Sequence, residues 1–211
     1  SGQNIAVVTD AGTPAISDPG EVIAAMCIEQ GIKVTSLPGA CALITALTMS
    51  GMPARRFCFE GFLPTDKKER RHILQQLERE ERTTILYEAP HHLRGTLQEL
   101  YDSLGERRIT LCRELTKKFE EALPMTLSSA IVYYSGTEPR GEYVLVLAGA
   151  DRAALEEEER EKFEEMTLEE HMAMYTDRGL SRKEAMKKVA ADRGVSKRDI
   201  YKELLLQEWV L

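Results

Sequence analysis

Apolar and polar positions change period several times along the chain, and each change marks an element. Ile5-Ala6-Val7-Val8 is a short continuous apolar run and predicts a buried strand over residues 4–9. A Gly/Pro/Asp-rich loop follows from Asp10 to Gly20. Val22, Ile23, Met26 and Cys27 then fall on one stripe of a helix over residues 21–30, with Gly31 as its stop. Ile32 to Leu37 predicts a second strand, Pro38-Gly39 a turn, and residues 41–50 a mostly apolar helix ended by Gly51-Met52-Pro53. This alternation indicates an α/β fold with a parallel sheet.

Beyond Pro53 the rhythm is less regular. Strands are expected over residues 57–62, 83–87, 108–113 and 142–147. Helices are expected over residues 67–80, 91–104 and 127–134. The order of these elements points to an α+β or mixed sheet. The run from Asp151 to Met166 is dominated by glutamate and reads as an acidic linker. After it, Thr167-Leu168-Glu169-Glu170, Ser181-Arg182-Lys183-Glu184 and Ser196-Lys197-Arg198-Asp199 each look like a helix start. Three short helices joined this way make a helix-turn-helix-like module, with Gly194-Val195-Ser196 as the last turn. The expected organisation is residues 1–55 as an N-terminal α/β lobe, 56–150 as a C-terminal α+β lobe, 151–166 as linker and 167–211 as the helical module.

Composition narrows the function classes. The net charge of −7 argues against a surface that binds nucleic acid everywhere, but the acidic run carries most of it, and the remainder is close to neutral. The cysteines Cys27, Cys41, Cys58 and Cys112 are widely spaced, and the histidines form no ligand pattern. Neither a zinc site nor a disulfide framework is expected, and a reducing cytoplasm fits. No apolar run is long enough to span a membrane.

Two loops carry the candidate chemistry. Asp10 to Gly20 follows a strand and opens a helix, the place where open α/β sheets hold ligands. Gly12 permits close approach to the backbone, and Asp10, Thr13, Ser17 and Asp18 offer polar groups. An ordinary strand-to-helix connection fits the same composition equally well. Leu37-Pro38-Gly39-Ala40-Cys41 repeats the arrangement, and two such loops in succession point to a cleft. Neither is a P-loop or a dinucleotide-binding fingerprint.

These loops, with Phe59-Glu60-Gly61-Phe62-Leu63-Pro64, Tyr87-Glu88-Ala89-Pro90-His91-His92-Leu93, Arg113-Glu114-Leu115-Thr116-Lys117 and Pro139-Arg140-Gly141-Glu142, resemble the ribosomal RNA small-subunit methyltransferase I family. The resemblance implies a two-lobed tetrapyrrole-methylase-like fold, S-adenosylmethionine as cofactor, and 2′-O-methylation of a cytidine ribose in small-subunit ribosomal RNA. A cytoplasmic homodimer is also expected, with a close dimer contact, or a neighbouring chain in the site, where the first lobe exposes an unpaired strand edge and apolar helix surface. The family's opening strand and Gly-Thr-Pro-Ile-Gly-Asn-Leu-like loop have no counterpart before Ser1, so the first lobe is expected to be truncated. By resemblance the cofactor is lined by Asp10, Ala11, Gly12, Thr13, Pro14 and Ser17, by Pro38, Gly39, Ala40 and Cys41, and by Tyr87 and Glu88 together with Ala148 and Gly149. The two loops should lie side by side and face Tyr87 and Glu88.

Transfer to a hydroxyl needs a group to take its proton. Glu88, Lys117 and Glu60 are the candidates, with Glu114 beside them. Glu88 ranks first because it ends a buried strand. Salt bridges or solvated faces explain each of these residues as well. Lys183, Lys187, Lys188, Arg193, Lys197, Arg198 and Lys202 either contact phosphates or form a solvated surface. The competing readings are a tetrapyrrole or corrin C-methyltransferase and a helix-turn-helix regulator.

Overall fold

The computed structural model describes residues 2–208. The chain divides into two compact units, Ser1–Ala150 and Asp151–Leu211. The first is organised around a five-stranded mixed sheet in the order β1-β2-β5-β3-β4. Its strands are β1 (Phe57–Phe62), β2 (Thr83–Glu88), β3 (Arg108–Arg113), β4 (Glu121–Thr126) and β5 (Tyr143–Leu147). β1 and β2 are parallel, and the other pairings are antiparallel.

Strand alternation sends side chains to two faces. On one, Leu86, Leu111, Leu145 and Leu147 pack against α3 (Lys67–Glu78), α4 (Leu93–Leu104) and α5 (Leu127–Gly136), through Leu74, Leu77, Leu97, Leu100 and Leu127. On the other, Ile85, Cys112, Val144 and Val146 meet Leu43, Ala46 and Leu47 of α2 (Ala42–Ser50). Helix α2, grouped with the N-terminal lobe by its place in the sequence, thus covers this sheet. Burying a leucine of this kind contributes about 1.5–3 kcal/mol, so α2 is firmly anchored.

Register places one set of loops at one edge of the sheet. Phe62 lies beside Tyr87, Glu88 beside Tyr143, and Tyr143 beside Arg113. The segments after β1, β2 and β3 and the segment before β5 therefore emerge together.

Two expected strands do not form. Residues 2–9 and 32–41 carry no ladder, and α1 (Glu21–Glu29) between them buries none of its residues. An apolar run becomes a strand only where a neighbour supplies hydrogen bonds, and among the described residues neither segment has one. Conversely, β4 was not expected. Its Pro124 lowers strand propensity, but β4 is an edge strand, where proline is tolerated.

The second unit comprises α6 (Arg152–Glu165), α7 (Leu168–Thr176), α8 (Arg182–Asp192) and α9 (Lys197–Glu208). The acidic run expected as linker is α6. Arg152–Glu156 and Lys162–Glu158 pairs, one turn apart, hold its glutamates on the helical surface, and Arg160 pairs with Glu157. Capping boxes at Thr167/Glu170 and Ser181/Glu184 start α7 and α8. Gly194, at φ 64°, makes the turn from α8 to α9. Leu168, Met172, Ala185, Val189, Ile200 and Leu204 form this unit's own core. Among the described residues no helix is long and apolar enough to cross a membrane.

Candidate active site

The two loops singled out by their sequence meet. Thr13 Oγ1 donates to the carbonyl of Ala40 at 3.1 Å. A Cβ on Gly12, whose φ is +79°, would stand 3.2 Å from that same carbonyl, and one on Gly39 would stand 3.3 Å from Thr13 Oγ1. Only glycine allows this approach at both positions without displacing a neighbour. Within the first loop, Thr9 Oγ1 donates to Asp18 at 3.1 Å, and Ala15 and Ser17 hold positive φ at 66° and 58°. Left-handed backbone at non-glycine residues costs energy and concentrates at ligand sites. Asp10, Ala11, Gly12 and Ser17 remain exposed, as do Pro38, Gly39 and Ala40, whereas Thr13, Pro14 and Cys41 are half-buried.

Tyr87 joins these loops to the sheet. Its ring makes edge contacts with Phe59 at 5.0 Å and Phe62 at 5.6 Å. Burial raises its phenol above the ordinary value. Cys41 and Asp18 add to the shift, and the backbone N–H of Leu43 opposes it. Tyr87 packs in one apolar cluster with Cys41 of the second loop and with Leu43 at the start of α2. Cys41, the N-cap of α2, provides no side-chain cap, so the backbone donors of that turn face the same region. The first loop also reaches β1, where a Cβ on Gly61 would be 3.2 Å from Ser17 Oγ.

Three of the expected site residues are placed elsewhere. Glu88 follows Tyr87 directly and so points to the opposite face. Its buried carboxylate accepts from Thr96 Oγ1 of α4 at 2.5 Å and from the Ala89 N–H at 2.8 Å. Arg70 in turn donates to Thr96 at 2.8 Å. The carboxylate therefore ties β2 to α3 and α4, away from the loops. Ala148 and Gly149 follow the far end of β5, where Leu147 pairs with Thr84 and Ala150 donates to Glu80 at 2.7 Å. The length of β2 separates them from Tyr87. Gly149 is required there because a Cβ would overlap the Glu81 carbonyl.

Glu60 and Lys117 are exposed at the loop-bearing edge. Between Phe59 and Gly61 the β1–β2 register skips one residue, and Glu60 is the extra residue of that bulge. Bulges re-aim side chains beside functional sites. Lys117 pairs with Glu114 at 3.2 Å in a loop where Glu114 and Thr116 have φ of 51° and 64°. A Cβ on Gly141 would overlap the Glu114 carboxylate, so the Pro139–Glu142 segment closes against that loop. Sequence reasoning took Glu60 from its motif but missed Phe59 and Phe62. Their signal was the aromatic pair bracketing Glu60-Gly61. Among the described residues no group of three or more His, Cys, Asp or Glu side chains is arranged to hold a metal ion.

The loops thus crowd one edge of a mixed sheet, with glycines at the points of closest approach. The family model for Tetrapyrrole (Corrin/Porphyrin) Methylases matches residues 1–131. The crystal structure of the methyltransferase CobJ shares the fold, with a TM-score of 0.50 and 21% identity over 66% of this chain and 62% of that one. At sequence level the chain is 46% identical to the ribosomal RNA small subunit methyltransferase I of Synechocystis sp., over 95% of this chain and 71% of the relative. It is 45% identical to the protein of the same name from Bacillus subtilis, over 95% of this chain and 68% of the relative. The chain belongs to the tetrapyrrole methylases, within the ribosomal RNA small subunit methyltransferase I family, and is a methyltransferase.

Proposed function

We propose that this chain uses S-adenosylmethionine to methylate the 2′-hydroxyl of a cytidine ribose in small-subunit ribosomal RNA. The observation that carries the reading is the junction of the two glycine loops at Thr13 and Ala40, facing Tyr87. The names of the relatives support the RNA substrate. The residues present suit the cofactor. Gly12 and Gly39 leave the backbone accessible, the uncapped turn at Cys41 offers N–H donors to a carboxylate, and Tyr87 supplies a half-buried aromatic wall. When bound, S-adenosylmethionine supplies an electrophilic methyl group on a positively charged sulfur.

The chain's own part is alignment and proton transfer. Loops 10–20 and 38–41 hold their partner in one orientation, because Thr13 fixes one loop to the other. Glu60 takes the proton of the ribose hydroxyl. It is exposed on a bulge at the site edge and forms no salt bridge among the described residues. Lys117, paired with Glu114 on the neighbouring loop, contributes positive charge toward the RNA backbone. Glu88 is a positioning residue that holds the end of β2. We further infer a cytoplasmic location, since the substrate belongs to the ribosomal subunit, and a homodimer, since α1 leaves Val22, Ile23 and Met26 exposed.

The test has two parts. Titration calorimetry of S-adenosylmethionine into the chain should show binding that Tyr87→Ala weakens about tenfold, roughly 1.4 kcal/mol. Labelled methyl transfer to small-subunit RNA should vanish when the target cytidine is replaced by its 2′-deoxy form. Transfer that persists on the deoxy substrate would overturn the ribose assignment.

A further inference from the structure

The helical unit is electrically divided. Residues 151–177 carry three Lys/Arg against eleven Asp/Glu, whereas residues 178–208 carry nine against five. Three of these acids are engaged internally, while Glu203 is exposed on α9. Glu184 accepts from Ser181 Oγ and N, and Asp199 from Ser196 Oγ and N, each closing the start of its own helix. Asp192 accepts from Tyr175 at 2.5 Å and lies 3.2 Å from His171 Nε2. The cations of α6 are spent on neighbouring glutamates. By contrast Lys183, Lys187, Lys188, Arg198 and Lys202 are exposed and form no salt bridge among the described residues.

Helical spacing groups these cations. Lys183 and Lys187 are one turn apart on α8, while Arg198, Tyr201 and Lys202 share one stripe of α9, opposite Ile200 and Leu204 in the core. Tyr201 is 53% exposed, so an aromatic face is presented between two cations. Among the described residues Lys183, Lys187 and Lys188 form no salt bridge, and Arg198 and Lys202 share only the electrostatic influence of Asp199. Such an excess of cations suits a polyanion, and an exposed aromatic ring beside them suits an unpaired base.

We propose that α8 and α9 form an RNA-docking face. Lys183, Lys187, Lys188, Arg198 and Lys202 contact backbone phosphates, and Tyr201 stacks on a single-stranded base. The proposal rests on RNA being the substrate, but it concerns binding by the helical unit and not the transfer step.

The experiment uses the full chain and a fluorescently labelled small-subunit RNA fragment, with anisotropy measured across a salt series. Lys187→Glu combined with Arg198→Glu should weaken binding at least tenfold at low salt. It should also flatten the dependence of log affinity on log salt by about two contacts. Tyr201→Ala should weaken binding to an unpaired stretch roughly tenfold and leave a fully paired RNA little changed. Lys162→Glu on α6 serves as the control and should leave the slope unchanged. Circular dichroism establishes that each variant is folded, and S-adenosylmethionine titration that the first unit is intact. If the variants bind RNA with unaltered affinity and slope, the docking face is wrong even where the wild-type chain methylates RNA. If they lose RNA binding as expected while the wild-type chain transfers no methyl group, the docking face stands and the proposed reaction fails. Loss of contact with a ribosomal protein or a second copy, with RNA binding intact, would also overturn the proposal.

Discussion

Glu60 and Glu88 stand at the ends of neighbouring strands in motifs of similar appearance, yet their surroundings assign them different work. A carboxylate that accepts from both Thr96 and a backbone N–H is already engaged, and removing it strands the buried Thr96 hydroxyl and the half-buried Ala89 N–H. Leaving such groups unpaired costs about 1–3 kcal/mol each. Glu88→Ala should therefore lower the melting temperature by several degrees, with kcat of the folded enzyme largely retained. Glu60→Gln should leave the melting temperature unchanged and lower kcat about a hundredfold, the usual scale for a lost proton acceptor. Thermal melts and steady-state rates on the two variants separate the roles, and the reverse pattern would exchange them. At the same scale, Gly12→Ala forces a side chain into left-handed backbone against the Ala40 carbonyl. It should weaken cofactor binding about tenfold by calorimetry, with little effect on the sheet.

Among elements, the helical unit holds the most sharply defined buried polar group. His171 is fully buried, stacked on Phe163 of α6 at 4.4 Å, with Tyr175 of its own α7 beside it. Its Nδ1 accepts from Arg193 Nε at 3.1 Å, and its Nε2 lies 3.2 Å from Asp192, both on the α8 side. Burial lowers its pKa below the ordinary imidazole value. Asp192 opposes the shift, and Arg193 adds to it. A histidine whose folded pKa is depressed gives stability that is present in full above its unfolded pKa, near 6.5, and is lost as pH falls below that value. Helical signal from residues 151–211 should accordingly soften on acidification from about pH 7 to pH 5. His171→Phe should remove that dependence, and an unchanged pH profile in the variant would dismiss His171 as its source. Helices α7 to α9 were legible because capping signals are local, and Thr167 and Ser181 announce their helices without tertiary help, whereas α6 was hidden because a run of glutamates reads as a linker until its one-turn ion pairs are seen. β4 was hidden because Pro124 argues against a strand until the edge position is known. The runs at residues 4–9 and 32–37 misled because apolar β-branched residues state a preference for a strand and not the presence of a partner. At the site, the adjacency of the two loops was readable from their repeated pattern, but the turn of Glu88 toward α4 and the distance of Gly149 depend on register and face.

At the scale of the whole molecule, the apolar surface of the first forty residues is the feature that needs a partner. Val22, Ile23, Met26 and Ile28 on α1 are 47–70% exposed, and Ile5, Val8 and Leu37 exceed 80%. Single exposed apolar side chains are ordinary, but a contiguous set on one helix and its flanking segments marks an interaction surface. Because the stripe of Val22, Ile23 and Met26 exists on every copy, a two-fold contact lets α1 meet α1 and cover both stripes at once. The homodimer proposed above would then be seated on α1. Sedimentation velocity across a broad concentration range should show a monomer–dimer equilibrium for the unaltered chain. Ile23→Glu combined with Met26→Glu should shift it to monomer, because two charges would be buried without partners at the contact. Neither position packs into either cluster of the sheet core, so the melting temperature of that unit should not fall. A chain that stays monomeric at every concentration, or a dimer untouched by the two glutamates, would remove α1 as the dimer contact and leave its apolar face to some other surface.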